Sequence, residues 1–155
     1  MLPGEIARIV VITVASGLLM FLGQPQIYNA QIILVDLPLG KTTTQWLETA
    51  YIPAASIVFG TALFATILWV ALTLSAKVQT AQEVLGWQVT WWLIGLIPLV
   101  GILVALALYS KGALYSLTVF FILDALLLYW LPTSTSTSGM FKRIPPGGAF
   151  FRDLF

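Results

Sequence analysis

Charge along the chain is distributed so that long stretches have none. Residues 9–35, 49–76 and 84–110 contain no Asp, Glu, Lys or Arg, and a helix crossing hydrocarbon needs about 20 mostly apolar residues. In the first stretch only IVVITVASGLLMFLG is continuously apolar, so its span is short and Arg8 is expected to snorkel back to the headgroups. A fourth apolar stretch, LYSLTVFFILDALLLYWL, covers 114–131 and holds a single acid, Asp124. The segment joining it to the third, YSKGA, is short enough to dictate an antiparallel hairpin. The pattern predicts an all-α integral membrane protein, with transmembrane helices at about 6–23, 53–76, 89–110 and 114–131.

These spans make residues 1–131 a four-helix bundle and leave two other segments. Residues 25–52 read as an extracytoplasmic or lumenal loop of amphipathic character. In it, Thr42 followed three residues later by Gln45 is a capping-box pattern, which predicts a short helix carrying Trp46. A helix running from there through the second span would be too long for one crossing, so a bend is expected near Pro53. Residues 132–155 form a tail: a Ser/Thr linker, a basic pair, a Pro-Pro-Gly-Gly turn and an apolar end. Phe150, Phe151, Leu154 and Phe155 call for a surface to meet, either a partner protein, with Trp46 as a second docking point, or the headgroups.

Composition agrees with the span pattern and removes much chemistry. The 155 residues are 59% hydrophobic and 8% charged, against about 25% charged in soluble domains. With no cysteine and no histidine, the chain lacks thiolate chemistry, disulfides and the commonest metal ligand and general base. No cofactor and no metal are expected. Ser16, Ser56 and Ser110 have no histidine to activate them, so an enzyme is not expected. Net charge is +1 with scattered basic residues and no dense basic patch, so no nucleic-acid partner is expected. MLPGEIARIV lacks the basic start of a signal peptide, so a retained first span is expected. Arg8, Lys77, Lys142, Arg143 and Arg152 fall on the side of both termini, against Lys41 and Lys111 on the other. The bias predicts both termini in the cytoplasm or stroma, in a bacterial inner membrane or a thylakoid. Trp87, Trp91, Trp92 and Trp130 would form the aromatic belt on that side.

Asp124 is the one sharp chemical feature. An ionised carboxylate in hydrocarbon is costly, so the residue is expected to be functional, paired or protonated. Its neighbours one turn away on the same helix, Phe120, Phe121, Leu127 and Leu128, offer no polar side chain. Counting inward from the terminal side brings Thr13, the Trp69 indole and the Ile94 carbonyl to its depth, the last released because Pro98 has no N–H. Arg8 is a rival partner. These residues define the expected intramembrane polar network.

The resulting expectation is a non-enzymatic accessory, stabilising or assembly subunit of a larger complex, in a respiratory or photosynthetic membrane. Its partners would be other integral membrane subunits and lipids, with homo-oligomers as an option. The alternative is a small oligomeric proton- or ion-coupled transporter or channel using Asp124.

Overall fold

A computed structural model of the chain describes residues 3–37, 39–76, 78, 80–135 and 143–148. Among them there is no strand, and four helices are long and apolar enough to cross a membrane. Helix α1 runs over Gly4–Asn29, α2 over Thr43–Leu74, α3 over Ala81–Tyr109 and α4 over Leu114–Ser134. The four helices expected to span are present; α1 ends six residues, α2 begins ten and α3 begins eight outside the expected limits, and α4 ends three residues past its own.

Three of the helices contain a single wide π-turn, at Leu19–Gly23 in α1, Leu47–Tyr51 in α2 and Leu126–Trp130 in α4. Each is followed two residues later by a proline, Pro25, Pro53 or Pro132. Proline has no N–H and its ring crowds the carbonyl one turn back. Widening that turn relieves the clash while the helix continues. This corrects two expectations. α1 does not stop at residue 23 but continues through Pro25 to Asn29, and the segment 25–52 is largely an extension of α1 and α2 rather than a loop. The disturbance expected near Pro53 is a π-turn within a continuous 32-residue helix, about 48 Å long at 1.5 Å per residue.

Helix starts follow local chemistry. Gln45 N–H donates to Thr42 Oγ1 at 3.3 Å and Thr42 N–H donates to Gln45 Oε1 at 3.2 Å, the expected capping box. Thr80 and Glu83 form a second box that starts α3 at Ala81, eight residues before the expected limit. The α3–α4 hairpin turns through Gly112, whose φ of +82° suits glycine. Asp36 N–H donates to the Gly112 carbonyl at 2.8 Å, fastening the first loop to this hairpin, and a side chain at 112 would collide with the Asp36 carbonyl.

α2 packs most extensively on α3, and α4 touches the other three helices. Gly101 of α3 faces Thr61 of α2 so closely that a Cβ there would overlap the threonine side chain. Ala62, Thr66 and Ala105 are buried near the same seam, whereas Ser56 and Gly60 face outward. Two apolar cores result. One, towards the first loop, gathers Met20, Tyr28, Trp46, Tyr51, Leu117 and Phe121. The other, towards the termini, gathers Trp69, Val84, Trp91, Tyr129 and Ile144. Ile144 belongs to the described part of the tail, which folds back on the bundle. Gln88 Nε2 donates to the Arg143 carbonyl at 3.1 Å, and Trp130 Nε1 donates to the Pro146 carbonyl at 2.8 Å. The apolar end of the tail, including Phe150, Phe151, Leu154 and Phe155, lies outside the described residues.

Candidate functional site

Buried residues on α1 recur every four positions: Ser16, Met20, Gln24 and Tyr28. This spacing keeps them on one helical face, turned towards α2 and α4. Opposite them, α2 presents Tyr51 and α4 presents Asp124, both with no solvent exposure. Gln24 joins all three helices. Its side-chain amide lies 2.6 Å from Asp124 Oδ1 on one side and 2.6 Å from the Tyr51 hydroxyl on the other. The Tyr51 hydroxyl also donates to the Met20 carbonyl at 2.8 Å.

That carbonyl is available for a reason legible in the backbone. In the π-turn, Gln24 N–H donates to the Leu19 carbonyl. The next acceptor in that pattern, Met20, would need the N–H of Pro25, which does not exist. Tyr51 supplies the missing donor. The same device operates in α4, where Leu131 N–H donates to the Leu126 carbonyl and Pro132 cannot serve Leu127 or Leu128. Thr66 Oγ1 of α2 donates to the Leu128 carbonyl at 2.6 Å, while the Ser16 hydroxyl donates to the Ile12 carbonyl of its own helix at 2.8 Å and lies 3.4 Å from the Leu127 carbonyl. Hydroxyls on neighbouring helices thus satisfy carbonyls that proline leaves open, as an apolar medium requires.

The proton arrangement in the Asp124 cluster follows from counting donors. A tyrosine has one proton, yet Tyr51 faces two acceptors, the Met20 carbonyl and the Gln24 amide oxygen. Rotating the Gln24 amide by half a turn exchanges its nearly isosteric O and N. As placed, Gln24 Nε2 donates to Asp124 Oδ1 and the Tyr51 hydroxyl donates to Gln24 Oε1; the flipped amide would let a protonated Asp124 donate to Gln24 oxygen, Gln24 nitrogen to the Tyr51 oxygen, and Tyr51 to Met20. Each contact along that relay pairs one donor with one acceptor when Asp124 is neutral. Asp124 Oδ2 is buried without a hydrogen-bond partner, which suits a neutral acid far better than a carboxylate. Aromatic rings seal the cluster towards the first loop. Tyr28 packs edge-on against Trp46 and Phe120, and its hydroxyl donates to Ser116 Oγ at 3.0 Å.

The expected network around Asp124 is therefore corrected in its members. Thr13 is half-buried and lines an outer groove with Ile9, Leu63 and Ile67. Trp69 is buried in the terminal core, edge-on to Trp87, and its Nε1 makes no hydrogen bond. Pro98 is buried along an outer cleft between α3 and α4. Arg8 donates to the Thr135 carbonyl at 3.4 Å, near the end of α4. None of these is the hydrogen-bond partner of Asp124. Depth counting failed because α1 and α4 overrun their expected ends, so Asp124 stands ten residues from each end of α4 and opposite the later turns of α1. Trp46 is also placed differently from expectation. It is buried against Tyr28 and Tyr51 and offers no outward docking surface.

Gln24, Tyr51, Tyr28 and Ser116 were missed in the sequence because Gln24 and Tyr28 appeared to lie beyond the first span. The signal was the four-residue repeat of Ser16, Met20, Gln24 and Tyr28 running across Pro25. No group of three or more acids among the described residues could hold a metal. Compared with protein-family models, curated proteins and solved structures, the chain matches none.

Proposed function

We propose that the protein is a non-enzymatic accessory, stabilising or assembly subunit of a larger membrane complex. The observation that carries this reading is the use to which the intramembrane polar groups are put. Asp124, Gln24, Tyr51, Thr66, Tyr129 and Trp91 are all engaged in bonds between helices of the same chain. Their chemistry holds the bundle together, and the broad apolar outer faces of α1 and α3 remain for lipid or for other membrane subunits. The start of α1 meets the end of α4 through Arg8 and Thr135, so the bundle has a terminal end and a loop end. The sequence assigns Arg8, Lys77, Lys142, Arg143 and Arg152 to the side of the termini, and on this reading that side faces the cytoplasm or stroma.

The test is gentle detergent extraction of the tagged protein at native expression, followed by identification of what accompanies it. We expect a stoichiometric set of membrane subunits. Migration alone on a native gel, with no partner recovered after crosslinking, would sink the idea.

The second reading, a proton-coupled transporter, draws on one specific observation: the unpartnered Oδ2 of a fully buried acid. It requires Asp124→Asn to abolish transport in reconstituted vesicles while the bundle still assembles.

A further inference from the structure

On the outer face of the bundle, α3 and α4 diverge to form a cleft of about 300 Å3, walled chiefly by Leu96, Leu99, Ile122 and Leu126 with Trp91 and Trp130. Its lining is almost wholly apolar. At one end it shares Trp92 and Pro146 with a second, more polar concavity formed with Gln88, Arg143 and Gly147. The two are neighbours across a shared wall, an apolar slot beside a polar mouth.

The mouth is built from a pinned piece of the tail. Gln88 holds the Arg143 carbonyl, Trp130 holds the Pro146 carbonyl, Gly148 N–H donates to the Pro145 carbonyl at 3.1 Å, and Ile144 is buried in the terminal core. The Pro145-Pro146 pair adds its own stiffness. These contacts fix the backbone around Arg143 and leave that residue exposed beside the slot. The concavity contains one cation and no acid among its described lining residues.

We propose that this composite feature binds one lipid with an anionic headgroup. An acyl chain lies in the α3–α4 cleft against the tryptophans, and the headgroup phosphate accepts hydrogen bonds from the Arg143 guanidinium. The shape suits a molecule with a long apolar part and a compact polar end. The sign of the charge selects the anionic class, because a guanidinium pairs with phosphate in a forked geometry. The inference stands apart from the accessory-subunit reading, since a transporter could hold a lipid equally well.

The test uses the full chain reconstituted in phosphatidylcholine vesicles. These contain an equal small fraction of either phosphatidylglycerol or phosphatidylcholine carrying brominated acyl chains, and tryptophan quenching is the readout. One basic residue at the membrane surface corresponds to about a fivefold preference for an anionic lipid, so the brominated phosphatidylglycerol should quench at about fivefold lower fraction. Arg143→Gln should erase that difference and Arg143→Lys should keep part of it. Arg152→Gln, which removes one charge from the same tail, should leave it intact. Equal quenching by the two probes overturns the proposal. So does an equal loss of preference in Arg152→Gln and Arg143→Gln, which would mean general surface attraction. Stronger quenching after removal of residues 149–155 also overturns it, by assigning the cleft to the apolar end of the chain itself.

Discussion

Asp124 is held in the bundle interior by Gln24, a side chain that faces a carboxyl on one side and a tyrosine on the other. An amide donates and accepts at once, so it passes hydrogen bonding from α4 to α2 and on to the Met20 carbonyl. Asp124→Asn preserves both donor and acceptor and should leave thermal stability in detergent nearly unchanged. Asp124→Leu leaves one end of the Gln24 amide unpaired in an apolar core and should cost roughly 1–2 kcal/mol, read as a lower unfolding midpoint. Infrared spectra of the folded wild type should show the carbonyl stretch of a protonated carboxylic acid, and Asp124→Asn should remove that band. A carboxylate signal in its place would contradict the neutral relay.

Among the helices, the recurrent motif is a π-turn two residues before proline, and in α1 and α4 a hydroxyl from a neighbouring helix sits on a carbonyl left open. Thr66 and Leu128 are the tightest case at 2.6 Å. Thr66→Val should destabilise the bundle by about 1 kcal/mol. In a Pro132→Ala background the restored N–H can serve the Leu128 carbonyl, so the same change should cost clearly less, and a double-mutant cycle of the four proteins measures the difference. Identical costs in both backgrounds would break the link between proline and hydroxyl. Helix packing gives a second contrast. Gly101→Ala drives a methyl into Thr61 and should cost about 1–3 kcal/mol, whereas Gly60→Ala meets nothing within 4 Å and should be neutral or slightly stabilising. Guanidinium-independent thermal melts in detergent suffice to separate the two.

At the level of the whole molecule, four spans bring the start of α1 and the end of α4 to the same end of the bundle, with the Gly112 hairpin and Asp36 at the other. The chain has no native cysteine, so single cysteines report topology without background. Cysteines at Arg143 and Arg8 should share one pattern of labelling by an impermeant maleimide in intact cells, and those at Lys41 and Lys111 the opposite one. On the charge bias, the second pair is labelled from outside. Labelling of all four from one side would refute the four-span arrangement.

What the sequence determined by itself was the number of long apolar helices, the hairpin at YSKGA, the capping box at Thr42 and the presence of one acid among those helices, expected to be functional, paired or protonated. These depend on short-range properties: charge-free length, loop length and side chains reaching their own backbone. The helix ends and the partners of Asp124 were decided only in three dimensions. A proline reads locally as a place where a helix stops, and Pro25 seemed to close the first span. Packing against α2 instead supplies a donor, the Tyr51 hydroxyl, for the Met20 carbonyl that proline leaves open, so the helix continues and carries Gln24 into the interior. Thr13 and Trp69 lay at the right depth by counting, but depth is not direction. Which face of each helix turns inward, and how far each helix overruns its apolar run, are properties of the assembled bundle, and they brought an amide, a phenol and a carboxyl together.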